Sequence, residues 1–197
     1  MLSVLTHVIH KCMIAISCPG GTAVSHVATI NVEIKSLDDL EAAAKSIGLE
    51  LVRGQRTYRW YGRSVGDYPV PQGFAADELG TCDHAIRVPL SVDGADRCYE
   101  IGVCGRRDGK PGFVLLWDNW NSGRCNYTTG LDADEGRTDW TGNKSRTSLV
   151  QFVGDAGQKL TQSYARVAAI RAGQQQGFQV QEQRLADGSI RLVFQKG

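Results

Sequence analysis

The stretch Cys98–Trp120, CYEIGVCGRRDGKPGFVLLWDNW, places the tightest limit on the fold. Tyr99, Ile101 and Val103 alternate with other residues and form one face of a strand. Asp108-Gly109, inside GRRDGKPG, is a turn signal. FVLLWDNW then returns as the partner strand, and around Leu115 and Leu116 it is apolar enough to be buried on both faces. Such a ribbon has to sit inside an antiparallel sheet that carries a covering layer on each side.

The flanks supply those layers. Ala28, Ile30, Val32 and Ile34 alternate with Val27, Thr29, Asn31 and Glu33, which predicts a strand. Ser36 is an N-cap with Asp39 three residues on, and Leu40, Ala43, Ala44 and Ile47 recur at helical spacing before Gly48. Leu49–Val52 begins a second strand, so the pattern is strand, helix, strand. HAIRVPLSV, from His84, reads as another strand, with Pro89 marking an edge or a bulge. Beyond Leu149 the pattern is helical: Leu160, Tyr164, Val167, Ala168 and Arg171 share a face and Gly177 closes it. FQVQEQRLADGSIRLVFQ is a hairpin that turns at Asp187-Gly188 and returns on Ile190, Leu192 and Phe194.

The fold class is therefore α+β: a largely antiparallel sheet packed by two main helices, most simply on one face, with long polar loop insertions. Residues 24–197 are read as one domain with insertions at about 62–94 and 121–148. Its interior is expected to be continuous from Tyr99 through Tyr164 to Phe194. Loops or a partner are expected to cover the sheet's second face.

Residues 1–23 fit no part of this plan. Their apolar run is interrupted by His7, His10 and Lys11, unlike a secretory signal. Gly20-Gly21 is codable as a ribosome-binding sequence and Val24 as an alternative start codon, so the segment reads as a translated leader or disordered tail. Native protein would then open Met-Ser-His-Val.

Charge and cysteine usage restrict function. A net charge of +1 counts against a protein that coats nucleic acid. None of the six cysteines forms a C-x-x-C pair, and Cys98 and Cys104 lie too far apart on one strand to bridge. Reduced thiols and a cytoplasmic location follow. No apolar run approaches the ~20 residues of a membrane span, so no membrane partner is expected.

Three stretches carry chemistry. RGQRTYRWYGR interleaves Arg53, Arg56, Arg59 and Arg63 with Tyr58, Trp60 and Tyr61, a pattern that binds phosphate and stacks on bases, or else a two-faced strand. WDNWNSGRCNY gathers Trp117, Trp120, Arg124 and Tyr127, residue types that dominate protein interfaces, or else a strand end on the core. Cys82 and His84, with Cys125 brought near in space, are weak metal or Cys–His candidates, short of the three or four ligands zinc requires. DADEG at Asp132–Gly136 lacks the third acid and distal Glu of a calcium loop. There is no G-x-S-x-G and no phosphate-binding G-x-x-x-x-G-K-[ST] loop. No cofactor and no catalytic residue is assigned.

SHVATINVEI, YEIGVCGRRDGKPGFVLLWDNW and TQSYARVAAIRAGQQQGFQVQEQRLADGSIRLVFQK together resemble, in order, the hypothetical chloroplast reading frame 35 proteins, the domain-of-unknown-function 1257 family of plastids, cyanobacteria, other bacteria and phages. The matching positions are Ser25-His26, Tyr99–Val103, Gln162–Ala165, Gly177-Phe178 and Asp187–Leu192, the last groups being the most specific. Gly62–Gly94 and Asn121–Ser148 depart from the pattern. The resemblance implies a soluble protein of a bacterium or bacteriophage and supplies no catalytic residues. By the company such genes keep in phages, it implies an AAA-type ATPase as partner. A non-enzymatic binding or adaptor protein acting through protein–protein contacts is the expected function. The alternatives are a nucleic-acid-binding accessory protein and an enzyme with a Cys/His site.

Overall fold

The computed structural model describes residues 4–9, 27–60, 62, 69–118, 147–154 and 156–196. Strand β1 is Val4–Ile9 and β2 is Val27–Ile34. Helix α1, Leu37–Ser46, follows, then β3 (Glu50–Arg53), β4 (His84–Arg87), β5 (Ile101–Gly105) and β6 (Phe113–Asp118). Helices α2 (Leu149–Val153) and α3 (Gln158–Gln175) precede the hairpin of β7 (Phe178–Arg184) and β8 (Ile190–Lys196). The class is α+β and every pairing between described strands is antiparallel.

Local chemistry explains the boundaries. Ser36 Oγ accepts the Asp39 N–H at 3.2 Å and caps α1, as its position before the apolar periodicity predicts. Beyond α2 the helix breaks, because Gly154 and Gly157 both take positive φ, at 78° and 73°. The single helical pattern read from Leu149 is therefore two helices. Pro89 lies past the end of β4, which pairs on both sides, so the proline stops an interior strand rather than marking an edge.

The sheet is divided. The larger one runs β2-β6-β5-β4-β3, and a separate one runs β1-β8-β7. Ile30, Ile34, Ile86, Ile101, Val103, Leu115 and Trp117 point from the larger sheet into the main core. Leu40, Ala43 and Ala44 of α1 and Leu160 and Tyr164 of α3 meet them there. The other side of α3 turns Ala169 and Ile170 toward Ile190, Leu192 and Phe194 of β8. A helix that is apolar on two sides cannot be an outer layer, so the hairpin covers it. Tyr99 and Tyr164 thus share one core, whereas Phe194 sits in another, across α3.

The second face of the larger sheet is closed by its own loop. Tyr58, Leu79 and Cys82 pack on Ala85, Cys104 and Leu116, with Trp60, Val70 and Phe74 at the rim. The Tyr58 ring lies so close over Gly102 that a Cβ there would overlap it. The sequence predicts no element within residues 1–23, yet Val4–Ile9 pairs residue for residue with Gln195–Ile190 of β8.

Candidate functional site

The Arg/aromatic stretch leaves β3 and enters the second-face loop. Arg53 donates to Asp38 Oδ1 at 2.6 Å and to Glu41 Oε2 at 2.9 and 2.7 Å, and its guanidinium holds the Asp38 carboxyl below the ordinary carboxylate range. Arg56 is exposed and reaches Asp83 Oδ1 at 3.4 Å. Arg59 donates to the Cys98 and Ala95 carbonyls at 2.9 and 3.2 Å and pairs with Glu100 Oε1 at 2.9 Å. Trp60 packs against Gly80, where a side chain would strike the indole. The stretch is a structural clamp along its described length: three guanidiniums face acids of the same chain. Arg63 lies outside the described residues.

Glu100 is the centre of that clamp. The residue is 2% exposed, and Oε2 accepts the Arg59 N–H at 2.8 Å and Gln55 Nε2 at 2.9 Å. A buried carboxylate persists only where donors surround it, and here they all come from Gln55 and Arg59.

Trp117 is not a surface anchor. It lies on the core-facing side of β6, 2% exposed, because residues 113, 115 and 117 share that face. Trp120, Arg124 and Tyr127 lie outside the described residues, as do Cys125 and the DADEG turn.

Cys82 and His84 are not brought together. His84 shares the face of Ile86, sets its ring edge-on to Phe113 at 5.6 Å, and accepts the Gly54 N–H on Nδ1 at 2.9 Å. That bond puts the ring proton on Nε2. Cys82 is buried on the opposite side of the sheet, its thiol donating to the Gln55 carbonyl at 3.2 Å. Cys104 donates to the Thr81 carbonyl at 3.4 Å. Burial pushes both thiols up to about 12, and Cys98 to about 11. These protonated, inward-facing groups are poor nucleophiles. Among the described residues no group of three or more His, Cys, Asp or Glu is placed to hold a metal.

One concavity escaped the sequence reading. A groove of about 330 Å3 opens between the C-terminal end of α1, the first half of α3 and the β7–β8 turn. Lys159, Gln162, Ser163 and Arg166, spaced i, i+3, i+4 and i+7, give it one wall from α3. Ser46 and Ile47 close one side; Arg184, Leu185, Gly188 and Ile190 close the other. Gln162 Nε2 donates to the Gly188 carbonyl at 3.1 Å and ties the helix to the turn. Ser163 Oγ lies 2.6 Å from Ser46 Oγ and donates to the Ala43 carbonyl at 3.1 Å, which ties α3 to α1. The signal in the sequence was the polar set 159/162/163/166 beside the apolar set 160/164/167/168, legible only once it is known what faces each.

Residues 130–193 match the model of a family described as a protein of unknown function, DUF1257. That match takes in α2, α3 and β7, and begins within the stretch 121–148 read as an insertion. No curated protein and no solved structure matches the chain.

Proposed function

We propose that this protein is a non-enzymatic binding or adaptor protein that works through contacts with a protein partner. The observation that supports it is that the residues on either side of segment 119–146 are firmly packed. It departs from Trp117 and Asp118, which are 2% and 0% exposed, and returns at Ser148 and Leu149, which are 5% and 0% exposed. Trp117 and Leu149 belong to the same core cluster. Thr147 adds two ties: its Oγ1 donates to the Asp93 carbonyl at 2.8 Å, and its own carbonyl accepts the Cys98 thiol at 3.4 Å. Segments based on a rigid scaffold are where recognition residues concentrate. Trp120, Arg124 and Tyr127 belong to this one, and they are residue types that dominate interface energetics.

The resemblance supplies the setting, the cytoplasm of a bacterium or of a phage-infected cell, and the partner class, an AAA-type ATPase. Capture from that cytoplasm by the immobilised protein tests the reading. A partner retained by the wild type and lost in Trp120→Ala and Arg124→Ala supports it. Equal capture by both variants refutes this contact surface. Trp117→Ala is unsuitable, since it empties the core.

A further inference from the structure

The groove between α1, α3 and the hairpin turn gathers cations from two elements. The chain balances 22 Lys and Arg against 21 Asp and Glu. Lys159, Arg166 and Arg184 nevertheless converge on one hollow, and no acid is among the described residues that line it. Glu182, beside it on β7, pairs with Arg166 at 2.8 Å. Among the described lining residues and their ion-pair partners, three cations less that one carboxylate leave two positive charges. The Arg184 guanidinium has no ion-pair or hydrogen-bond partner among the described residues. Lys159 uses one ammonium proton on the Gln151 carbonyl, at 3.0 Å, and keeps two. Arg166 bonds Glu182 through Nε, so its terminal nitrogens remain as donors. Like charges brought together oppose folding, and no described contact of the fold requires Arg184 to be cationic.

The other walls narrow the choice of ligand. Ser46 and Ser163 direct their hydroxyl protons to the Ala43 carbonyl and to each other, so the side-chain donors left to the hollow are its cations and the second amide proton of Gln162. Ile47, Leu185 and Ile190 supply an apolar wall. A volume of about 330 Å3 lies at the small end of small-molecule sites.

We infer that this groove binds a small organic phosphate monoester, its dianion between Lys159, Arg166 and Arg184 and its apolar body against Ile47, Leu185 and Ile190. A monoester carries roughly two negative charges near neutral pH and three acceptor oxygens, which matches two net positive charges and a fork of guanidinium donors. A carboxylate would neutralise half of that charge. The site is separate from segment 119–146, so it stands or falls independently of the proposed partner contact.

Calorimetric titration of the full chain with phenyl phosphate, benzoate and inorganic phosphate tests the inference. Phenyl phosphate is expected to bind, with affinity falling as salt rises, and to bind about tenfold or more tightly than benzoate or inorganic phosphate. Arg184→Ala, an exposed change that leaves the core alone, is expected to weaken it at least about tenfold, and Lys159→Ala similarly. Arg56→Ala, on the other side of the sheet, is expected to leave it unchanged. Thermal melts of each variant separate lost binding from lost folding. Absence of phenyl phosphate binding to the wild type overturns the inference, as does undiminished binding to a folded Arg184→Ala, Lys159→Ala double variant. Equal affinity for benzoate rejects the monoester, and equal affinity for inorganic phosphate rejects the apolar wall.

Discussion

Arg59, a candidate for binding phosphate by its neighbours in sequence, is occupied instead by the buried Glu100. Its carboxylate is buried and its donors are Arg59 and Gln55, so truncating Arg59 leaves a charge in the core with one side-chain donor. Arg59→Ala is expected to cost roughly 3 kcal/mol in urea unfolding, and Glu100→Gln less, because an amide is cheaper to bury than an unpaired carboxylate. A loss under about 0.5 kcal/mol for Arg59→Ala would show that solvent replaces the guanidinium. The same result governs any test of nucleic-acid retention, where Arg56→Ala is the clean variant. The buried thiols set a pH dependence. Cys82 and Cys104 are pushed up to about 12 by burial, so the native state keeps protons that the unfolded chain releases near the ordinary thiol value. The native state then binds more protons, and stability falls as pH rises from about 9 toward about 12. Burial raises the Tyr58 hydroxyl too, which extends the fall at its upper end. Urea midpoints measured upward from neutral pH are expected to decline across that window, with a shallower decline in a Cys82→Ala, Cys104→Ala variant. The spacing of 82, 84 and 104 gave no warning that the sheet would come between His84 and the thiols, since Cys82 lies outside the regular strand.

At the scale of elements, most of the chain was legible where a period was clean. β2, α1 and the hairpin follow their alternation, cap and turn residues because each is one-sided, and one-sided elements write their burial into the sequence. α3 is packed by α1 on one side and β7 on the other, which blurs its stripe and hid both the second sheet and the groove. Its role as the central brace is carried by Tyr164. The Tyr164 hydroxyl accepts the Lys35 and Ser36 N–H groups at 2.8 and 3.2 Å, at the junction where β2 gives way to α1. Tyr164→Phe removes that acceptor and leaves two partly buried donors wanting, so a loss of about 1–2 kcal/mol is expected in chemical unfolding. An unchanged midpoint would mean that water reaches the junction. Gly102 makes the corresponding close approach on the sheet's second face. Gly102→Ala forces the Tyr58 ring outward and is expected to cost about 1–3 kcal/mol, with proteolytic cleavage in the loop 55–82 as its more specific readout.

For the molecule as a whole, the weight rests on α3, which has the five-stranded sheet and α1 on one side and the hairpin on the other. β1 pairs along β8, on the edge of the hairpin away from β7, and the described residues of the main core all follow Val24. The proposed domain, residues 24–197, is therefore expected to keep that core without residues 1–23, since the described residues packed around Trp117, Tyr99 and Tyr164 all follow Val24. What it would lose is the cover on β8, whose Leu192 and Phe194 pack under α3 while its backbone edge would face solvent. A chain starting at Val24 is then expected to melt with an unchanged near-ultraviolet signal from its core aromatics. Its β8 amides should exchange about tenfold or more faster than in the full chain, because opening the hairpin no longer requires breaking a second ladder. An open edge also invites pairing with a second copy, so sedimentation of the shortened chain should show concentration-dependent dimer that the full chain lacks. Collapse of the core signal on removing residues 1–23 would make β1 part of the domain and end the late-start proposal. An intact mass beginning at Met1 in natively expressed protein would end it as well, and would leave β1 as the strand that normally seals β8.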